Sequence, residues 1–218
     1  MPVFELRAAN AAYNGHEVLK EVSLRIEAGE RVALLGRSGA GKSTLLRLLY
    51  QHRAGEAALV PQDFGLVRTL AVFHNVYMGR LHRHATWYNL ANLIKPLAKE
   101  VRQVRAVLGT LGMEDKLFTP AGELSGGQQQ RTAVGRALFQ GGRVLLGDEP
   151  VSAVDEPQAH AVLNAINRDY QTVVLAMHDV KLALNYTDRV VGIKDGRIAL
   201  DEPTRTLRAA ELELIYGD

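Results

Sequence analysis

Short apolar runs alternate along the chain with longer stretches whose apolar residues recur every three or four positions. In residues 18–26, Val22, Leu24 and Ile26 alternate with polar residues, which is typical of a strand with one buried face. Residues 3–8 have a similar character, so the chain begins with a predicted pair of antiparallel strands. Mainly apolar runs predict further, buried strands at 31–35, 57–60, 144–149 and 172–177, of which 144–149 ends in two acids.

Helical spacing is found between these strands. The clearest stripe lies within residues 70–111, which are predicted to be helical, and consists of Val101, Val104, Val107, Leu108 and Leu111. We expect residues 64–124 as a whole to form a helical insertion. Further helices are predicted over 126–139 and 157–170 and after Thr204, which is expected to cap the last one, while Asp195-Gly196 predicts a hairpin between 188–193 and 197–200.

Composition narrows the class of protein. A chain of 218 residues with 47% apolar residues is long enough to fold around a sizeable core. It has no cysteine, which excludes disulfides and thiolate metal sites. We see neither a signal peptide nor a membrane-spanning run, so a cytosolic protein is expected. The net charge of +2 does not by itself indicate a nucleic-acid partner.

Positive charge is concentrated in residues 65–111. This segment contains one acid, Glu100, against seven bases, which are Arg68, Arg80, Arg83, Lys95, Lys99, Arg102 and Arg105. Two interpretations remain open: a solvated helical face, or a docking surface for an acidic or membrane-apposed partner.

The strongest motif follows the predicted strand 31–35. It matches G-x-x-x-x-G-K-[ST], the phosphate-binding P-loop, and consists of Gly36, Arg37, Ser38, Gly39, Ala40, Gly41, Lys42, Ser43 and Thr44. Such a loop directs backbone N–H groups at an anion, helped by the N-terminus of the following helix. Lys42 would reach the β- and γ-phosphates, and the Ser43 hydroxyl would hold Mg²⁺. The sequence therefore predicts a nucleoside triphosphate site.

Other polar residues also follow predicted strands, where ligands bind in open parallel sheets. They are Gln62, the pair Asp148 and Glu149, and His178. Asp148 is expected to hold Mg²⁺, and Glu149 is our candidate general base. Pro150 is expected to keep Glu149 extended. Gln62 and His178 would orient the attacking water, Mg²⁺ and the γ-phosphate.

A second anion site is predicted at the start of the helix 126–139. Gly126 and Gly127 leave the helix N-terminus open, and Ser125 adds a hydroxyl. Gln128 stands three residues after Ser125, a spacing that predicts a capping box.

These motifs resemble those of the ATP-binding subunits of ABC transporters. The residues that carry the resemblance are 36–44, Gln62, 124–131, 144–150, 152–155 and His178, and they span almost the whole chain. The resemblance implies a P-loop NTPase fold with a mainly parallel sheet, an N-terminal antiparallel β lobe and an inserted helical subdomain. It also implies ATP and Mg²⁺ as cofactors and an ATP-hydrolysing enzyme.

The resemblance assigns further residues. Tyr13 would stack on adenine, with Val18 beside it. Ser125, Gly126, Gly127 and Gln128 of one copy would complete the nucleotide site of a second copy in a head-to-tail dimer, with Asp155 at the interface. The chain would be a single domain over 1–218, divided into a β lobe with the P-loop (1–63), the helical subdomain (64–124) and the rest of the α/β core (125–218).

One departure concerns the antiparallel lobe. Only 20 positions separate Lys42 from Gln62, fewer than is usual in the family, so the lobe is expected to be shortened. The missing piece resembles a β-hairpin, of which residues 54–56 would be the remnant.

A narrower similarity is to the ATPases of phosphonate importers. It is carried by residues 63–67, 75–81 and 87–93 and by the glutamines at 128–130. It implies integral-membrane permease subunits, an extracytoplasmic substrate-binding protein and a peripheral place on the cytoplasmic face of the inner membrane, with no nucleic acid. The alternatives are a soluble ABC ATPase acting on nucleic acid or ribosomes, and an export-type ATPase of the lipoprotein-releasing kind.

Overall fold

The computed structural model describes residues 2–13, 15–53, 55–207 and 209–216. Two compact units divide the chain. The first is made of residues 1–59, 143–149 and 170–218, and the second of residues 60–142 and 150–169. The second unit thus contains the predicted helical insertion 64–124 together with later segments of the chain.

The strands form two sheets. Their bounds are β1 Pro2–Tyr13, β2 His16–Glu27, β3 Arg31–Leu35, β4 Ala57–Val60, β5 Val144–Asp148, β6 Thr172–Ala176, β7 Arg189–Lys194 and β8 Arg197–Pro203. β1 and β2 make a two-stranded antiparallel sheet, and the other six have the order β4-β5-β6-β3-β7-β8. β3 is parallel to β6 and β7, β5 is parallel to β6, and β8 is antiparallel to β7. The predicted fold class is confirmed.

The helices of the first unit are α1 Lys42–His52, α7 Val180–Tyr186 and α8 Ala209–Tyr216. Leu45, Leu46 and Leu49 of α1 are buried in one cluster with apolar residues of the antiparallel pair and of the six-stranded sheet. Their 3.6-residue spacing puts all three on one side of α1, so the burial of this stripe fixes the helix that follows the P-loop.

The helices of the second unit are α2 Val72–Tyr77, α3 Thr86–Ile94, α4 Ala98–Thr110, α5 Gly126–Gln140 and α6 Glu156–Asp169. Residues 70–111 are mostly helical, as predicted, with a 3-10 segment Met78–Arg83 between α2 and α3. In the predicted stripe, Val104, Leu108 and Leu111 are buried, while Val101 and Val107 are half-buried. No helix in the described parts of the chain is long and apolar enough to cross a membrane.

In the last third of the chain, the predicted cap at Thr204 was wrong, and one helix, α7, was missing from the prediction. Thr204 does not cap a long helix: it begins a short 3-10 turn, Thr204–Thr206, and α8 begins only at Ala209. The Thr204 hydroxyl donates to the Thr187 carbonyl at 3.0 Å, so it ties two loops together and does not bond to N–H groups ahead of it. Helix α7 was not predicted; Asp179 caps it by accepting a bond from the Leu182 N–H.

The connection between α1 and β4 is short. The Glu56 N–H donates to the Arg53 carbonyl at 3.0 Å, and the Arg53 N–H donates to the Tyr50 carbonyl. Ala54, part of the predicted hairpin remnant, lies outside the described residues. The chain thus passes from α1 to β4 through a turn, in agreement with the shortened lobe that the sequence predicts.

Candidate active site

The P-loop connects β3 to α1 in a conformation that requires glycine. A Cβ atom on Gly36 would lie 2.4 Å from the Ile193 carbonyl oxygen of β7. Gly41 has φ 112°, in the left-handed region, and a Cβ there would lie 2.8 Å from a methyl group of Leu19. Both positions therefore require glycine, and the Ala40 N–H donates to the Arg37 carbonyl at 3.1 Å within the loop.

Lys42, the first residue of α1, is 5% exposed. Its Nζ donates to the carbonyl oxygens of Gly36 at 2.8 Å and Arg37 at 3.2 Å. Burial lowers the pKa of Lys42, and the carboxylates of Glu149 and Asp148 partly restore it. The ammonium group is therefore held inside the loop by neutral carbonyls, where a phosphate would give it a stronger partner.

A cavity of about 420 Å³ lies on the solvent side of the P-loop. Its lining includes Val18, the P-loop residues Arg37, Ser38, Gly39 and Ala40, and residues 193–196 of the β7–β8 hairpin. Val18 is half-buried there. Tyr13 ends β1, but its side chain lies outside the described part of the structure, so its contact with adenine stays a prediction.

Asp148 is the last residue of β5 and is only 8% exposed. Burial raises the pKa of this carboxyl, while a hydrogen bond from the Ser43 side chain and the nearby Lys42 oppose the rise. Its Oδ1 is buried without a hydrogen-bond partner. A buried carboxylate oxygen beside a serine hydroxyl fits the oxygen ligands that Mg²⁺ takes, and a bound cation would satisfy the orphaned atom.

Glu149 and His178 contact each other directly. His178 Nε2 lies 2.5 Å from Glu149 Oε1. The contact follows from the sheet: the Glu149 N–H donates to the Ala176 carbonyl, and the Met177 N–H donates to the Leu34 carbonyl. β5, β6 and β3 are neighbours, so Asp148, His178 and the P-loop meet at one edge of the first unit.

The prediction that Pro150 keeps Glu149 extended was wrong. Glu149 has φ 54°, in the left-handed region that non-glycine residues rarely adopt. The following proline disfavours right-handed helical geometry, but the hydrogen bond to Ala176 keeps the Glu149 N–H in the sheet while the chain turns away. Strain of this kind costs about 1–3 kcal/mol and is concentrated at functional sites.

Gln62 lies in the second unit, two residues after the end of β4, and is exposed. The next turn is held by Arg136, whose guanidinium donates to the carbonyls of Phe64 at 2.8 Å and Gly65 at 2.6 Å. Phe64 and Gly65 both have positive φ. Arg136 thus fixes the segment that follows Gln62, a role that sequence analysis missed because the partners lie 71 and 72 residues away.

The start of α5 is the predicted capping box. The Gln128 N–H donates to Ser125 Oγ at 3.3 Å, and the Ser125 N–H donates to Gln128 Oε1 at 3.0 Å. A Cβ on Gly127 would lie 2.6 Å from the Ala153 carbonyl oxygen, so this glycine allows α5 to approach the loop after β5. Gly126 has only one distant neighbour, Ala153 Cβ, 3.9 Å from such a Cβ. The helix N-terminus is therefore accessible.

Gln130, which the sequence analysis used only as part of a resemblance, connects α5 to the loop after β5. It is fully buried; its Oε1 accepts a bond from the Ala153 N–H, and its Nε2 donates to Ser152 Oγ. Asp155, predicted at a dimer interface, caps α6 by accepting bonds from the N–H and the side-chain amide of Gln158. That contact does not test its interface role.

The predicted residues therefore fall into two groups. The first unit brings together Lys42, Ser43, Asp148, Glu149 and His178, and the P-loop and Val18 line the adjacent cavity. The second unit contains Gln62 and, around the start of α5, Ser125–Gln128 and Asp155. Neither group alone contains every predicted residue.

Comparison with known proteins identifies the family. The sequence model of the ABC transporter family matches residues 19–152. A phosphonates import ATP-binding protein of Rhizobium etli is 36% identical over 99% of this chain and 86% of its own length. A protein of the same name from Pseudomonas putida is 38% identical over 98% of this chain and 89% of its own length.

Solved structures of ABC transporter cassettes have a similar fold. A bacterial ABC transporter cassette solved as a dimer superposes with a TM-score of 0.79 at 25% identity, covering 93% of this chain and 99% of that one. A dimeric post-hydrolysis state of such a cassette, bound to ADP and phosphate, gives a TM-score of 0.76 at 27% identity over the same shares. The chain belongs to the ABC transporter family, as one of its ATP-binding, ATP-hydrolysing subunits.

Proposed function

We propose that this chain drives the import of phosphonates or related oxyanions through a separately encoded permease. The observation that carries the proposal is the similarity, over nearly the whole chain, to curated proteins named for phosphonate import. Two copies would lie at the cytoplasmic face of the membrane and serve two membrane subunits. An extracytoplasmic binding protein would deliver the substrate.

Transport can be tested by deleting the gene and measuring uptake of a radiolabelled phosphonate. We expect uptake to be lost in the deletion strain, restored by the wild-type chain and not restored by Glu149→Gln, while uptake of a labelled sugar stays unchanged as the control. Unchanged phosphonate uptake in the deletion strain would refute the assigned substrate. Loss of lipoprotein release or of ribosome function in its place would favour the export or soluble alternatives.

The residues of the first unit suit phosphoryl transfer to water. The P-loop N–H groups and Lys42 would bind the β- and γ-phosphates. Ser43 and Asp148 would hold Mg²⁺, which neutralises charge on the phosphate oxygens. Glu149 would accept a proton from the attacking water, and His178 would orient both the carboxylate and the γ-phosphate.

The start of α5 has a helix N-terminus and a serine hydroxyl but no cation of its own in the capping box. We propose that it completes the nucleotide site of a second copy in a head-to-tail dimer, with Asp155 beside it. This arrangement explains why one chain presents two anion-binding backbones, since one P-loop suffices for one triphosphate.

Ser125→Arg should abolish ATP hydrolysis and leave ATP binding by the monomer intact. The long cationic side chain would obstruct the partner's γ-phosphate, while every P-loop residue of the variant chain itself stays unchanged. Phosphate release and binding of a fluorescent ATP analogue measure the two effects. Ser125→Ala is the control, because it removes the helix cap, at a cost of about 1 kcal/mol, without adding bulk. Full hydrolysis by Ser125→Arg would contradict the shared site.

The second unit has an apolar groove on its surface. A cavity of about 290 Å³ is lined by α2, α3 and the 3-10 segment between them, and its lining includes Leu70, Met78, Leu81, Leu90 and Leu93. Leu81, Leu90 and Leu93 are 40%, 55% and 49% exposed. A short amphipathic helix can place apolar residues in such a groove. We propose that a cytoplasmic helix of the permease docks there.

Single cysteines can test the docking because the native chain has none. Tyr77 also lines the groove, but it is 3% exposed and therefore unsuitable. Leu81→Cys and Leu90→Cys should form cross-links to a membrane subunit, with a yield that changes when ATP is added. Phe118→Cys, 56% exposed and not part of the groove lining, is the control. Cross-links to ribosomal or nucleic-acid-binding proteins alone would refute this docking site.

A further inference from the structure

Helix α3 exposes three large apolar side chains on one side. Trp87 is 72% exposed, Leu90 55% and Ile94 79%. Their spacing of three and four residues places them next to one another along the helix. Single exposed apolar residues are ordinary, but a contiguous group on a nine-residue helix marks an interaction surface. We call Trp87, Leu90 and Ile94 the outer face of α3.

The orientation of α3 is fixed by hydrogen bonds on its opposite side. Asn92 is fully buried; its Nδ2 donates to Tyr77 Oη at 3.3 Å, and its Oδ1 accepts a bond from the Leu97 N–H at 3.0 Å. Tyr88, four residues earlier, donates to the carboxylate of Glu100 at 3.0 Å. The helix therefore cannot turn its apolar side inward without breaking these bonds.

The outer face shares only Leu90 with the groove proposed for the permease. Thr86, Asn89 and Leu93 line the groove, whereas Trp87 and Ile94 do not. At 100° per residue, Trp87 and Ile94 lie about 100° from the groove side, and Leu90 lies on the border between the two. A helix that occupies the groove would leave the side chains of Trp87 and Ile94 uncovered.

The exposed charges of residues 65–111, the segment that contains α3, have one sign. Lys95 directly follows Ile94, and Lys99 begins the exposed side of α4; both are exposed, and in the described residues neither forms an ion pair. Glu100, the one acid of residues 65–111, is 1% exposed and is bonded to Tyr88. Every exposed charged side chain of that segment is therefore basic.

Two of the bases have structural roles. The Arg80 guanidinium lies 4.1 Å from the centre of the Phe139 ring and donates to the Phe139 carbonyl, and Arg83 donates to the Gln140 carbonyl at 2.6 Å. These contacts attach the 3-10 segment to α5. The solvated-face interpretation thus fails for Arg80, whereas Arg83 bonds to α5 and stays exposed, and Lys95 and Lys99 remain available to a partner.

We propose that the outer face of α3, with Lys95 and Lys99, rests on an anionic lipid surface. Tryptophan and aliphatic side chains favour the boundary between lipid headgroups and acyl chains, and lysines beside them are attracted to anionic headgroups. A protein partner is less suited, because the outer face offers a single hydrogen-bonding group, the Trp87 indole, whereas protein interfaces form about one hydrogen bond per 100–200 Å².

This contact goes beyond the proposed function and rests on it only in placing the chain beside a membrane. It would align the second unit against the bilayer while the groove engages the permease. Binding to lipid would need neither ATP nor the permease. Its failure would therefore leave the ATPase and transport assignments unaffected.

Trp87 is the chain's one tryptophan, so its fluorescence reports on this face alone. The purified chain is titrated, at low salt, with vesicles of equal parts phosphatidylcholine and phosphatidylglycerol and with vesicles of phosphatidylcholine only. We expect a blue shift of the emission with the anionic vesicles, quenching by brominated acyl chains, and a much weaker response with the neutral vesicles or in 0.5 M salt.

Variants that retain Trp87 test the named residues. Lys95→Gln with Lys99→Gln should weaken binding about thirtyfold, since each basic residue near an anionic surface contributes about fivefold. Ile94→Ser should also weaken binding. The matched controls are Lys181→Gln, an exposed lysine of the first unit, and Phe118→Ser, an exposed aromatic residue outside α3; both should bind as the wild type does.

Three outcomes would overturn the proposal. The first is emission that does not change with anionic vesicles. The second is equal binding by the Lys95 and Lys99 double variant and the wild type. The third is a blue shift that depends on protein concentration without lipid, which would assign the face to contacts between copies of the chain.

Discussion

Replacing Lys42 by alanine is expected to reduce affinity for ATP by about 10²- to 10³-fold. The Lys42 ammonium is 5% exposed and is directed into the P-loop, where the β- and γ-phosphates would displace its carbonyl partners. Removing one partner of a buried, hydrogen-bonded charge pair costs about 3–4 kcal/mol, which corresponds to this factor. Isothermal titration with ATP measures the change.

Lys42 also holds the loop through its bonds to Gly36 and Arg37, so the variant needs a folding control. Thermal denaturation without nucleotide should show a folded protein with a cooperative transition. Lys181→Ala, which removes an exposed lysine far along the chain, should bind ATP as the wild type does. Near-wild-type affinity in a folded Lys42→Ala protein would overturn the assignment of the P-loop as the phosphate site.

Glu149→Gln is expected to slow hydrolysis by about 10²- to 10⁴-fold, the usual contribution of a general base. Glutamine has the shape of glutamate and can still form a hydrogen bond with His178, but it cannot accept the proton of the attacking water. ATP should therefore bind and remain unhydrolysed, and the ATP-bound dimer should accumulate. Single-turnover phosphate release and light scattering with ATP measure the two effects.

His178→Ala separates the base from its neighbour. It removes the 2.5 Å contact but keeps the carboxylate, so hydrolysis should fall less than in Glu149→Gln. Turnover of Glu149→Gln within about tenfold of wild type, equivalent to about 1.4 kcal/mol of barrier, would mean that another residue is the base.

The grouping of residues at one edge of the sheet could be predicted from sequence because it depends on topology. Apolar runs place Asp148 and His178 at the ends of strands, and the strand order β5-β6-β3 brings these ends beside the P-loop. The backbone of Glu149 could not be predicted. Its left-handed φ depends on the hydrogen bond from the Glu149 N–H to the Ala176 carbonyl in another strand. The preference that Pro150 imposes on the residue before it is local in sequence, so it cannot predict a bond to a distant strand.

Contacts between distant segments were also missed. Arg136 and Gln130 look like ordinary polar residues of a helix, and only the fold reveals that one holds the turn after Gln62 and the other the loop at 152–153. Periodicity predicted a helical segment at α3 but could not indicate that Trp87 and Ile94 face solvent while Asn92 is buried. The buried side of a helix is decided by its neighbours.

The central claim is that ATP is hydrolysed at a site shared by two copies of this chain. The most direct measurement is the rate of phosphate release per subunit over a wide range of protein concentration, at saturating ATP and Mg²⁺. We predict that the rate rises with concentration as monomers pair and then reaches a plateau, while Ser125→Arg stays at the background throughout. A rate per subunit that is the same at every concentration, or equal rates for Ser125→Arg and the wild type, would contradict the claim.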